Sequence, residues 1–251
     1  MIVRTLGGWH HLVRQSEHAR QSAVLTASLR PEFLGAIEDQ WALMQATAMH
    51  DVGWDAWDDA PQVDAAGLPL NFDAVDKAVG REVWRHTVYG ALVDHGPAVA
   101  AILARHASAL AMLDVVGDPP AEDYHFEEML PHLEARAWPA DAPEARTARR
   151  ERAFAALALG DALSLLGLAG WSHRLTLPLH REDGTTLEVT AWREGDWTVR
   201  VAPWPFAVPG ALANVWTDTV AVPAAEARDA VAILRAPRQY HVRRTVEYRE
   251  G

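Results

Sequence analysis

Between Ala153 and Trp171 the chain carries one charged residue, Asp161, set in the run Ala-Leu-Ala-Leu-Gly-Asp-Ala-Leu-Ser-Leu-Leu. A carboxylate in an apolar helix is costly to bury unless it is ion-paired, hydrogen-bonded or bound to a metal. Taken alone, Asp161 has two readings, a partner for an arginine or a metal ligand. His50 and Asp51 close a second apolar stretch, Ala-Thr-Ala-Met-His-Asp-Val-Gly-Trp. Adjacent side chains diverge along a helix, but at a helix end both can turn toward one ion.

His18 lies in Gln-Ser-Glu-His-Ala-Arg-Gln, a segment in which a histidine taken alone is more readily a surface or half-buried residue than a ligand. His86 and His106 flank the turn near Asp94–Pro97 at similar distances. At a rise of about 1.5 Å per residue, each sits roughly 13 Å from that turn on antiparallel helices. Two imidazoles at one level can share an ion; the alternative is that His86 begins its helix and faces solvent. His10, His11, His125, His132, His173, His180 and His241 read as surface residues.

Composition narrows the chemistry. The chain has 251 residues, no cysteine and a formal net charge of −11. Disulfides, thiolate ligands and cysteine nucleophiles are therefore excluded, and any metal must be held by imidazole and carboxylate, ligands that suit Fe, Mn, Zn, Ni or Mg. The negative field argues against a nucleic-acid partner. The only lysine is Lys77. Met1–Val13 lacks the apolar run of a signal peptide, and Asp161 interrupts the one long apolar stretch, so neither membrane insertion nor export is expected and the setting reads as cytoplasmic.

The elements that must position these residues are helical first. Ser16–Leu29 presents Ala19, Ala23, Val24 and Ala27 as an apolar side, and Glu32–His50 presents Ile37, Trp41, Met44 and Ala48. Asp55–Asn71 reads as an aperiodic loop rich in Trp and Asp. Arg81–Val93 and Pro97–Leu113 read as paired helices, Pro119–Pro143 as an acidic surface excursion with a short helix at most, and Ala145–Leu168 as a core helix. After Trp171 the period switches to two: Leu175–Leu179, Leu187–Ala191, Trp197–Val201, Ala213–Val222 and Gln239–Tyr248 read as strands, and Ala224–Leu234 as a short helix.

The order of an early His, a His-Asp pair at a helix end, two further His and a late Asp in an apolar helix resembles that of HD-domain proteins over residues 15–165. The resemblance implies a mainly α fold, an HD-like helical metal-binding domain (1–170) followed by a small α+β antiparallel-sheet region (171–251). It also implies that His18, His50, Asp51 and Asp161 bind a first divalent metal, with Asp51 bridging to a second held by His86 and His106. The β-rich extension, together with the His-Asp-Val-Gly-Trp and Pro-Trp-Pro-Phe segments, looks like a bacterial branch of that family.

Two departures bear on function. Many HD phosphodiesterases place a lysine soon after the His-Asp pair, where this chain has Trp54, which weakens a nucleotide reading. Gln15-x-x-His18-x-x-Gln21 is similar to the opening helix of HD-type di-iron oxygenases. The leading expectation is a metal-dependent phosphohydrolase for a small phosphorylated molecule, with Asp51 and Arg20 as catalytic candidates and Arg20, Arg81, Arg85 and Arg105 available to grip phosphate. The alternatives are a di-iron oxygenase and a non-catalytic metal-containing binding protein.

Overall fold

A computed structural model describes residues 1–114, 126–234 and 240–251. In chain order its elements begin with β1 (Ile2–Leu6), β2 (Trp9–Val13), α1 (Gln15–Ala27), α2 (Pro31–Leu34), α3 (Ile37–Met49) and α4 (Asp55–Asp59). They continue through α5 (Lys77–Asp94), α6 (Pro97–Asp114), α7 (Phe126–Ala137) and α8 (Pro143–Leu168). The chain then forms β3 (Leu175–His180), β4 (Thr186–Arg193), β5 (Thr198–Ala202), β6 (Ala211–Pro223), α9 (Ala230–Leu234) and β7 (His241–Glu250).

The fold is mixed α/β, which corrects the expectation of a mainly α protein with a small antiparallel sheet. Seven strands form one sheet in the order β1-β2-β6-β7-β5-β4-β3. Two features were not anticipated. Met1–Val13 is a hairpin, and its second strand pairs with β6, so both ends of the chain contribute to one sheet. The sheet is also not purely antiparallel, because β5 runs parallel to β7. The hairpin follows from Gly7-Gly8, both at positive φ (58° and 81°), the pair of left-handed residues that a tight two-residue turn requires.

The helices cover the sheet. α8 lies between α1 and α6 on one side and β3 to β5 on the other, which makes it the central element. Proline at its first turn starts it, and its buried residues run from Ala153 to Leu168, as expected of a core helix. The main core joins Leu25, Leu43, Ile102 and Leu157 of the helices to Val199, Val201, Val246 and Tyr248 of the sheet.

Two helix faces differ from the apolar stripes read in the sequence. Of the α1 stripe Ala19 is buried, but Val24 is 44% exposed and Ala27 is exposed; the buried face is instead largely polar, with His18, Gln21, Ser22 and Thr26 beside Ala19 and Leu25. In α3, Ile37 and Trp41 are exposed while Ala42, Leu43, Ala46 and Thr47 face the core. The segment 32–50 is also broken at Gly35, whose φ of 76° no helix allows. The acidic excursion forms a longer helix than expected, α7, with Phe126, Leu130 and Leu133 buried. His125 lies outside the described residues. Among the described residues no helix is long and apolar enough to cross a membrane.

Candidate metal centre

Four elements converge on one buried point. α1 supplies His18, the end of α3 supplies His50 and Asp51, α6 supplies His106, and α8 supplies Asp161. The close approach of α1 and α8 depends on Gly160. A Cβ there would lie 2.8 Å from the Ser22 carbonyl oxygen and closer still to Thr26 Oγ1. One residue further on, Asp161 faces His18 across that crossing.

The His-Asp pair is turned inward by the way α3 ends. His50 keeps helical angles as the C-cap, and Asp51, at φ −112° and ψ 13°, leaves the helix and begins the short 3-10 turn Val52–Trp54. Gly53 lets that turn rest on α5, because a Cβ would lie 2.8 Å from Thr87 Oγ1. Its N–H donates to the same hydroxyl at 3.1 Å.

The mutual geometry is compact. His18 Nε2 lies 2.9 Å from Asp161 Oδ1 and 3.8 Å from Asp51 Oδ2. His50 Nε2 is 3.6 Å from Asp51 Oδ2 and 3.7 Å from Asp161 Oδ1. His106 Nε2 is 3.7 Å from Asp161 Oδ2. The rings of His18 and His50, and of His50 and His106, meet edge to face with centroids 5.2 and 5.3 Å apart. His18, His50 and His106 are buried, and the two carboxylates are only 11–13% exposed.

Hydrogen bonds behind the cluster set the imidazole tautomers. His50 Nδ1 donates to the Thr47 carbonyl at 2.8 Å, so the Nε2 facing the carboxylates carries a lone pair in the neutral ring. The Ser164 hydroxyl donates to Gln21 Oε1 at 2.8 Å, which leaves its oxygen to accept from His18 Nδ1 at 2.8 Å. Tyr248 Oη lies close behind them, 3.2 Å from the Leu163 carbonyl oxygen and 3.4 Å from Gln21 Oε1. His18 Nε2 and Asp161 Oδ1 lie 2.9 Å apart, a spacing that a hydrogen bond spans and that a metal ion can bridge in its place.

The electrostatics point the same way. Burial opposes charge on His50, but Asp51 and Asp161 outweigh it and lift the imidazole to about 9. Asp161 is driven well below the usual carboxylate range: burial opposes ionisation, and His18 and His50 overcome it. Burial pushes Asp51 up, with His50 and His18 opposing. His106 is pulled down to about 4, chiefly by burial. His50 Nε2 and His106 Nε2 are buried without a hydrogen-bond partner. Two carboxylates and three imidazoles, two of them with orphaned nitrogens, match the donor set and charge of a divalent ion.

A cleft of about 300 Å³ reaches the cluster. His50, Asp51, His106 and Asp161 line it, with Trp54, Phe72, Trp84, Leu110, Leu165 and Trp171 as apolar walls. His18, at 1% exposure, stays out of it.

Not every expected residue joins the site. His86 is exposed on α5, and the helix-depth estimate failed because it fixes height along an axis and not the face a side chain takes. Arg20 is bonded to Glu17 and the Trp216 carbonyl and stacks on the Trp216 ring at 4.1 Å. Arg105 pairs with Glu151 and Arg85 with Glu82. None of these, nor Arg81, lines the cleft. Sequence reasoning missed Ser164 and Thr47, and marked Gln21 only by its spacing from His18; the polar positions of all three on buried helix faces were the available signal. It also missed Lys77 at the cleft, although this is the chain's sole lysine.

The chain belongs to the DUF3891 family, described as a protein of unknown function, whose pattern it matches over residues 1–221. No curated protein and no solved structure matches it.

Proposed function

We propose that the chain is a metal-dependent hydrolase of HD type, with one divalent ion held by His18, His50, Asp51 and Asp161 and a small molecule bound in the adjoining cleft. The supporting observation is the buried, unpartnered Nε2 of His50, with its Nδ1 hydrogen committed to Thr47 and two carboxylates 3.6–3.7 Å away. When bound, the ion would supply a Lewis acid and a water acidified enough to act as nucleophile near neutral pH.

The protein's own groups do the rest. Thr47 and Ser164 hold the His50 and His18 rings with Nε2 facing inward. His106 lines the cleft 3.7 Å from Asp161 Oδ2 and, kept neutral by burial, offers its Nε2 as an acceptor to bound substrate or water. The aromatic walls exclude bulk water. A phosphoester is the first substrate candidate, as the HD resemblance suggests. Arg20 lies outside the cleft, held by Glu17 and the Trp216 carbonyl. The two-iron oxygenase reading is less well supported, because its second ion needs His86, which is exposed on α5.

The test is metal content per chain by elemental mass spectrometry, on protein purified without chelator or nickel resin. The expected result is one equivalent of Mn, Fe, Zn, Ni or Mg, lost in Asp161→Ala. That variant should also be destabilised by about 3 kcal/mol, since buried imidazoles lose their counter-charge. Two irons per chain would restore the oxygenase, and no metal after reconstitution would leave a binding protein. Full metal content in Asp161→Ala would sink the ligand assignment.

A further inference from the structure

The cleft carries information about its occupant that the metal cluster does not. Its walls are rings and aliphatic chains: Trp54, Phe72, Trp84 and Trp171, with Leu110 and Leu165. Among the described residues no arginine lines it, and its one cationic side chain beyond the cluster is Lys77. Lys77 stands beside Asp73 and Asp76, which also line the cleft, so the charge of that group is negative. A second phosphate would be repelled there, whereas an apolar ring has walls on which to stack.

Gly80 supplies the room. It lies on α5 between Lys77 and Trp84, and all three line the cleft. Glycine is unfavourable in a helix, and here neither backbone nor packing requires it. A Cβ at this position would meet nothing nearer than the Trp84 ring, at 3.9 Å. A Cβ therefore has open space, and because Gly80 lines the cleft a longer side chain at this position is placed to reach into it.

We propose that the cleft binds substrates built from one ion-binding head, such as a phosphomonoester, and an uncharged apolar body of about one ring, with Gly80 setting the space for that body. The proposal rests on the metal reading for the head and on the walls alone for the body.

Calorimetry on the metal-loaded protein separates the two parts. Phenylphosphonate and methylphosphonate share a head whose P–C bond resists hydrolysis, and they differ only in the body. Phenylphosphonate is expected to bind roughly tenfold tighter or more. Gly80→Leu should abolish that preference while leaving methylphosphonate affinity, metal content and thermal midpoint undiminished. Gly80→Ala should reduce the preference in part, and serves if the leucine variant does not fold. Equal affinity for the two phosphonates in the native protein, or a full preference retained in Gly80→Leu, overturns the cleft proposal and leaves the metal reading intact. If the protein holds no metal and methylphosphonate does not bind, the metal reading fails. Phenylphosphonate binding that persists in that case and is lost in Gly80→Leu still supports the cleft, and its absence overturns it.

Discussion

At the residue scale, the centre depends on groups that would touch no ion. A neutral imidazole offers one lone pair, and the hydrogen on the opposite nitrogen decides which. For His50 that hydrogen goes to a backbone carbonyl, which side-chain substitution cannot remove. For His18 it goes to Ser164, whose own hydrogen goes to Gln21. Ser164→Ala removes the acceptor and frees the ring to place its hydrogen on Nε2 toward Asp161. Metal affinity should fall roughly tenfold to a hundredfold, with a stability loss of about 1 kcal/mol. Competition with a chelator of known affinity measures the first and denaturant unfolding the second. Unchanged affinity would show that Ser164 does not set the His18 tautomer.

At the element scale, the centre exists because α1 and α8 cross closely at Gly160. Gly160→Val places methyl groups against Ser22 and Thr26, where a Cβ alone would already be 2.8 Å from the Ser22 carbonyl oxygen. Overpacking of this kind costs about 2 kcal/mol. Because the helices must separate, His18 moves away from Asp161, so metal affinity should fall although residue 160 is no ligand. A variant that is destabilised but binds metal as before would reduce the crossing to packing alone. The same helices show what the sequence could and could not disclose. Asp161 was legible because a lone charge in an apolar helix demands a partner, and His50-Asp51 because a helix end lies there. The face of α1 was only partly legible: its buried side is largely polar, serving the site, so apolar periodicity marked Ala19 correctly but turned the stripe toward Val24 and Ala27. His86 and His106 were equally plausible by height along their helices, and only rotation about the helix axis, set by packing, distinguishes them.

At the scale of the whole molecule, the sheet ties the first residues to the last. Five strands after Trp171 were legible from alternation, but the partner that lengthens their sheet comes from residues 1–13, and long-range pairing leaves no local mark. The Gly-Gly turn was the one available sign of it. His11 sits in that junction. It pairs with Ala221 of β6, packs edge-on against Trp197 at 5.3 Å and is 3% exposed, which corrects its reading as a surface residue. Burial, with Arg244, Arg4 and His10 adding positive charge, lowers its pKa from 6.5 to about 4. The folded state thus keeps His11 neutral where the unfolded chain takes up a proton. Its contribution is fully present above pH 6.5, is lost progressively as pH falls from 6.5 toward 4, and changes no further below that. Denaturant midpoints at pH 7 and pH 5 should therefore differ, the lower pH giving the lower value. His11→Gln, which cannot take up the proton, should narrow that difference relative to the native chain measured alongside it, whatever the other histidines contribute to both. An identical pH dependence in the two proteins would mean that the hairpin junction accommodates a charged His11, and that acid sensitivity arises elsewhere.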